Sequence, residues 1–270
     1  MSKTILITGA SSGFGKETAK LFHKQGWNVV ASMRSPEEEK ELTLLENVSV
    51  VKLDVQDEES IALAVEKSIG KFGTIDVLLN NAGYAVMGIF ESATLDQIQH
   101  QFDTNVFGMM RVTRAVLPYM RANSQGVIVN ISSVAGRVGM PFASIYESSK
   151  FAVEGFSEAL YFELANLGIT VKIIEPGASQ TNFGYARTTV QNEIMAYNPY
   201  IGKFFENYPK KTGHCKIATP QEVAETIFVA ATDQTNQIRY IIGEDCQFFV
   251  DTKTENSEEK FVASIQSFFK

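Results

Sequence analysis

The sequence predicts a doubly wound α/β fold, a parallel sheet of seven strands covered by helices on both faces within a single domain. Three observations predict it. Short apolar runs alternate with segments of helical periodicity along most of the chain. A glycine-rich turn separates the first run from the first helical segment. Finally, 270 residues at 44% hydrophobic composition suffice to bury one full core.

Lys3 to Thr8 reads as a buried strand, and Phe14, Thr18, Leu21 and Phe22 then fall on one face of a helix. Further strands are expected near Asn28 to Ser32, Ser49 to Leu53, Asp76 to Leu79, Val127 to Ile131, Thr170 to Ile174 and Arg239 to Ile242. Between them Ile61, Val65 and Ile69 make one helical stripe, and Val153, Phe156, Leu160 and Leu164 another. Thr94 with Gln97, and Thr219 with Pro220 and Glu222, carry the pattern of helix-opening capping boxes. Strands joined through helices in this way run parallel and are buried on both faces. The expected organisation is a catalytic unit over 1–250 and an extension over 251–270. Asp251 to Lys260 is acid-rich and reads as a solvated linker, with a terminal helix over Phe261 to Phe269.

The net charge of −7 offers no basic field for a polyanion, so nucleic acid is not an expected partner. Two cysteines without CxxC spacing and three scattered histidines give no zinc pattern, and no metal is expected. No signal-peptide layout or membrane-length apolar run is visible, so the expected setting is a reducing cytoplasm without membrane attachment.

Gly9, Gly13 and Gly15 stand in TGASSGFG, between a strand and a helix, where a glycine-rich turn signifies a dinucleotide site. Glycine allows the tight turn and the close approach of backbone to pyrophosphate, while the helix N-terminus offers unpaired N–H groups. The hydroxyls of Ser11 and Ser12 add donors, and Phe14 completes the turn's candidate contacts. At the end of the second strand an acidic residue would favour NAD; here Met33 and Arg34 follow Ser32, and a guanidinium able to pair with a 2′-phosphate favours NADP(H). Arg34 could instead be a surface charge paired with Glu37 or Glu38.

The GxxxGxG spacing resembles the short-chain dehydrogenase/reductase family, in its single-domain Tyr-x-x-x-Lys branch with a Rossmann-type sheet. Further matching segments stand in family order: LDV at 53–55, NNAG at 80–83, Asn105, ISS at 131–133, Tyr146 with Lys150, and PG at 176–177. The resemblance implies that Asp54 and Val55 meet the adenine and that Asn81, Ala82 and Gly83 line the ribose and nicotinamide side. It also implies that Pro176, Gly177 and Thr181 meet the carboxamide and pyrophosphate. Asn80 reads equally well as a structural strand-end amide.

A phenol, with an ordinary pKa of about 10, needs a nearby cation to act as an acid or base near neutrality. Tyr146 and Lys150 lie four apart on an expected helix, hence on one face. Ser133 ends the fifth strand, where parallel sheets collect their ligands. The expected chemistry is hydride transfer between nicotinamide and a carbonyl or secondary alcohol carbon. Tyr146 would move the proton, and Ser133 would hydrogen-bond the substrate oxygen. Lys150 would lower the phenol's pKa and bind ribose, and Asn105, by resemblance, would hold a water that links Lys150 to solvent. Glu147, between the two, is expected to alter substrate choice or pKa slightly.

Between Asn182 and Cys215 the α/β rhythm breaks and Phe183, Tyr185, Met195, Tyr197, Tyr200, Phe204, Phe205 and Tyr208 gather. This irregular aromatic insertion at about 182–215 reads as a lid over a wide apolar pocket, for a large apolar ketone, aldehyde or alcohol. Two rival readings remain. A 3-oxoacyl thioester reductase would dock an acidic carrier on a basic surface, for which Arg111, Arg114 and Arg121 are the one dense cluster. A sensor or scaffold would bind NADP without turnover. By resemblance, a homodimer or homotetramer would pair through helices over 102–119 and 153–164, and the acidic tail favours the dimer.

Overall fold

The computed structural model describes residues 2–179 and 187–270. The main sheet comprises β1 (Thr4–Ile7), β2 (Asn28–Met33), β3 (Val48–Lys52), β4 (Val77–Asn80), β5 (Gly126–Ile131), β6 (Ile169–Pro176) and β7 (Arg239–Ile242). All pairings are parallel, in the order β3-β2-β1-β4-β5-β6-β7. Two short strands, Val86–Met87 and Thr188–Thr189, pair separately. The helices are α1 (Gly13–Lys24), α2 (Glu58–Phe72), α3 (Leu95–Phe102), α4 (Met109–Ala122), α5 (Ser144–Leu164), α6 (Asn198–Thr212), α7 (Pro220–Thr232), α8 (Glu244–Thr254) and α9 (Glu258–Gln266).

The strands read as continuous apolar runs because both faces are covered, and the two-residue pleat divides their side chains between two cores. Ile5, Ile7, Val29, Ala31, Val77 and Leu79 point to one face, where Phe22 of α1, Trp27, and Val223 and Ile227 of α7 bury them. Leu6, Val30, Leu78 and Ile128 point to the other, against Ile61 and Val65 of α2, Val112 and Val116 of α4, and Leu160 and Leu164 of α5. Both expected capping boxes form, at Thr94 with Gln97 and at Thr219 with Glu222. No helix among the described residues is long and apolar enough to cross a membrane.

Two expectations need correction. The stretch from Asp251 to Lys260 is not an extended linker: α8 continues through Thr254, α9 starts at Glu258, and only Glu255 to Ser257 connect them. Its charges occupy the solvent side, while Phe249, Phe261, Ile265 and Phe268 turn inward; Phe268 is 2% exposed. The segment ending at Cys215 is likewise not irregular throughout, since α6 fills Asn198 to Thr212. An i, i+4 spacing of Phe204 and Tyr208 on an inward face explains the helix.

The chain leaves β1 toward β2 and β3 on one side and returns to β4 on the other. Such a reversal opens a crevice at the carboxyl ends of the strands, where open α/β sheets bind their ligands.

Candidate active site

The crevice begins at the turn after β1. Gly9 and Gly13 adopt φ of +68° and +56°, a left-handed conformation that L side chains rarely take. The Asn81 amide donates to the carbonyls of Thr8 and Gly9, both at 2.9 Å. The Thr8 hydroxyl accepts from the backbone N–H groups of Asn81 and Ala82 at 3.0 and 3.1 Å. These bonds stitch the turn after β1 to the turn after β4. Asn81 therefore lines the crevice while its side-chain amide serves the protein. Gly15 lies beneath the turn, where a Cβ would strike the Gly9 carbonyl and the Asn81 amide; its role is close packing and not wall contact. Ser12 caps α1 in extended conformation without a side-chain capping bond, so the first-turn N–H groups open onto the crevice beside the exposed hydroxyls of Ser11 and Ser12.

At the end of β2, Met33 is buried and Arg34 is exposed on the cavity wall. The surface pairing with Glu37 or Glu38 does not form; among the described residues the ion pairs nearby join Lys16 to Glu39 and Glu41. Asp54 and Val55 face the same space, and Asp54 holds its own turn by accepting from the Gln56 N–H at 3.0 Å.

Further along, α5 presents Tyr146 and Lys150 one turn apart. The Lys150 Nζ donates to the Ile131 carbonyl at 2.8 Å and lies 5.7 Å from the centroid of the Tyr146 ring. Ser133, after β5, hydrogen-bonds the Tyr146 side chain, donates to the Pro176 carbonyl at 3.3 Å and accepts from the Ala135 N–H at 3.2 Å. Burial pushes the Tyr146 phenol up to about 12; the Glu147 charge adds to this and the Ser133 bond opposes it. Burial also pulls Lys150 down to about 8 against the attraction of Glu154. Desolvation drives both groups toward neutrality, and Lys150 is not among the causes that set the phenol's shift.

Asn105 sits in a π-helical turn, Asp103–Gly108, between α3 and α4. Its carbonyl oxygen accepts from the Tyr84 N–H at 3.1 Å, and its amide donates to the Tyr84 carbonyl at 2.9 Å and to the Ser149 hydroxyl at 3.3 Å. It lies outside the cavity wall and anchors the loop after β4 to α5. Asn80 is structural, donating at 2.9 Å to both Thr113 and Asn130 in the core.

Past β6, Pro176 and Gly177 reach the cavity. Asp245, in the first turn of α8, accepts from the Ala178 N–H at 2.5 Å, and a Cβ on Gly177 would run into its carboxyl. The sequence reading missed this clamp. The available signal was an acidic residue two positions after the glycine that follows β7. Thr181, Phe183 and Tyr185 lie outside the described residues.

The far wall is aromatic. Ile201, Phe204, Phe205 and Tyr208 of α6 face Val138, Met140 and Phe142 from the loop before α5. Phe142 has φ +66°, a strained conformation for a bulky residue, and its ring meets Phe204 with centroids 5.2 Å apart. Behind this wall Phe204 contacts Phe268 at 5.7 Å and Tyr208 stacks on Phe249 at 6.3 Å. Met195 and Tyr200 stay largely exposed, and Tyr197 bonds Glu91 at 2.9 Å. One cavity of ≈ 1100 Å³ runs from the glycine turn past Ser133, Tyr146 and Lys150 to these rings. That exceeds the space of a single drug-sized ligand, about 300–1,000 Å³.

The short chain dehydrogenase family model matches residues 3–191. A 3-ketodihydrosphingosine reductase of Bacteroides thetaiotaomicron is 44% identical over 71% of this chain and 71% of its own. A short-chain dehydrogenase from Streptomyces avermitilis superposes with a TM-score of 0.85 at 33% identity, covering 99% of this chain and 95% of that one. ElxO, solved with NADP bound, gives 0.73 at 31% identity over 89% of this chain and 98% of its own. With the model spanning most of the sheet and Ser133, Tyr146 and Lys150 standing together at the mouth of that sheet, the chain belongs to the short-chain dehydrogenase family of oxidoreductases.

Proposed function

We propose that the protein is an NADP(H)-dependent oxidoreductase that interconverts a carbonyl and a secondary or primary alcohol on a large apolar substrate. The observation that carries this reading is the single cavity joining the glycine turn, the Ser133–Tyr146–Lys150 group and the aromatic wall. Its inner end fits a dinucleotide. The left-handed glycines leave room for pyrophosphate and the open first turn of α1 supplies donors. Arg34 projects without an ion pair beside a buried Met33, where an acidic side chain would repel a 2′-phosphate. NADP in the related ElxO structure points the same way.

The bound nicotinamide would supply or accept the hydride. For reduction, the Tyr146 hydroxyl gives its proton to the substrate oxygen as the carbon gains hydride, and Ser133 hydrogen-bonds that oxygen. A pKa near 12 keeps the phenol protonated and ready to donate throughout the neutral range. Lys150, 5.7 Å from the ring centroid, stabilises the phenolate left behind. Asn105 holds the loop after β4 in place for this geometry. In the oxidative direction the same groups act in reverse, with Tyr146 as base.

Apolar substrates are favoured by the ring-lined outer end, and the 3-ketodihydrosphingosine reductase named above is consistent with a long-chain ketone. A homodimer or homotetramer through α4 and α5 belongs to the same reading, supported by the exposed Phe151 and Phe162 on α5. The test is NADPH oxidation across a carbonyl panel with wild type and Tyr146→Phe. Turnover of long apolar carbonyls that Tyr146→Phe abolishes is expected. Preference for small charged oxoacids, or undiminished turnover in Tyr146→Phe, overturns the reading.

A further inference from the structure

Glu147 is a carboxyl in a place that does not suit one. It follows Tyr146 on α5, is 6% exposed, and contributes to the cavity wall. Its companions there are Val138, Met140 and Phe142, an apolar group. One oxygen, Oε1, accepts from the Met140 N–H at 2.6 Å. Among the described residues the Glu147 carboxyl has that one hydrogen bond and no ion pair. The ammonium whose charge acts on it, Lys253 on α8, donates instead to the Arg137 carbonyl at 2.7 Å and rests over the rings of Phe151 and Phe261.

Oε2 is not among the buried polar atoms that lack a partner, so it is reached from the cavity that Glu147 lines; a largely desolvated carboxyl with one oxygen open to a cavity is suited to receive a ligand's donor. Desolvation accordingly lifts Glu147 to about 8, against the Met140 bond and Lys253. Glu147 follows Tyr146 on α5, lines the same cavity, and its charge raises the Tyr146 phenol.

Resting on the carbonyl-reductase reading above, we propose that Glu147 receives a hydrogen-bond-donating amine or hydroxyl group carried next to the carbonyl of an otherwise apolar substrate. The substrate class is then the long-chain amino or hydroxy ketone, with its polar head between Tyr146 and Glu147 and its chain along Phe204, Phe205 and Tyr208. Glu147 is a specificity residue here; the hydride and proton transfers are those already described.

The test compares kcat/KM with NADPH for 3-ketodihydrosphingosine, the plain ketone of equal chain length, and ketones with the amine alone or the hydroxyl alone. Wild type should prefer the amino-alcohol ketone to the plain one by at least about tenfold. In Glu147→Leu the preference should collapse toward one. In Glu147→Gln it should fall for the amine and persist in part for the hydroxyl, which separates the two donors. A wild-type ratio near one, or the same ratio in both variants, overturns the assignment and leaves the reductase reading intact. Failure of every ketone to oxidise NADPH overturns both. Should the variants not fold, wild type decides alone. A long-chain amino alcohol lacking the carbonyl should compete with the plain ketone better than the matching plain alcohol, and equal competition overturns the proposal.

Discussion

At the glycine-turn end of the cavity, positions are set by main chain and by short side-chain bonds to it. Left-handed glycines, the opening turn of α1 and the Thr8–Asn81 stitching all arise within a few residues of a strand end. At the substrate end they are set by side chains brought from far apart. Phe142 precedes α5, Phe204 and Tyr208 lie on α6, and Phe249 and Phe268 come from the last helices. The first construction serves a ligand of fixed shape. The second is adjustable by exchanging one ring, which is how one fold serves many substrates.

The strongest way to test the junction between the two ends is Tyr146→Phe. Turnover should fall about a hundred- to ten-thousandfold while NADPH affinity, measured by fluorescence titration, holds. Loss of cofactor binding would show that the two ends are not separable. Phe268→Ala should cost about 3–5 kcal/mol in denaturant unfolding, because a fully buried ring is removed. It should raise KM for apolar carbonyls more than KM for NADPH.

Lys150→Met tests the burial of the ammonium. Its pKa is pulled from 10.5 to about 8, so the folded protein releases a proton that the unfolded chain still holds between those values. The destabilising contribution is complete below pH 8 and vanishes by pH 10.5. Wild-type stability should therefore gain on the variant across that window, by a few kcal/mol at most; a constant difference would refute it. The smallest effect is expected at the outer cofactor contact. Arg34→Ala should shift the NADPH to NADH preference in kcat/KM by about tenfold, in line with loss of one charge-assisted contact.

What was legible follows the same division. TGASSGFG, the strand runs and both capping boxes are local patterns, and the structure places them where their spacing indicates. The reading of Arg34 as a possible partner of Glu37 or Glu38 could be resolved only by geometry. The Asn105 side chain is engaged with Tyr84 and Ser149, a structural task that no local pattern reveals, and any link from its main chain to Lys150 through water stays a proposal. Asp245 carries only a faint local signal, because its meaning depends on β6 and β7 lying side by side. The acid-rich stretch after Asp251 misled for a similar reason: the rings that make it helical find their partners on α6.

Asp245 joins the loop after β6 to the helix that carries Phe249, and Phe249 stacks against the Tyr208 of the outer wall. One carboxylate thus ties the loop to the helix that backs the rings of the outer pocket. The loop after β6 and the outer ring wall therefore share one support, and removing the Asp245 carboxylate would loosen both at once.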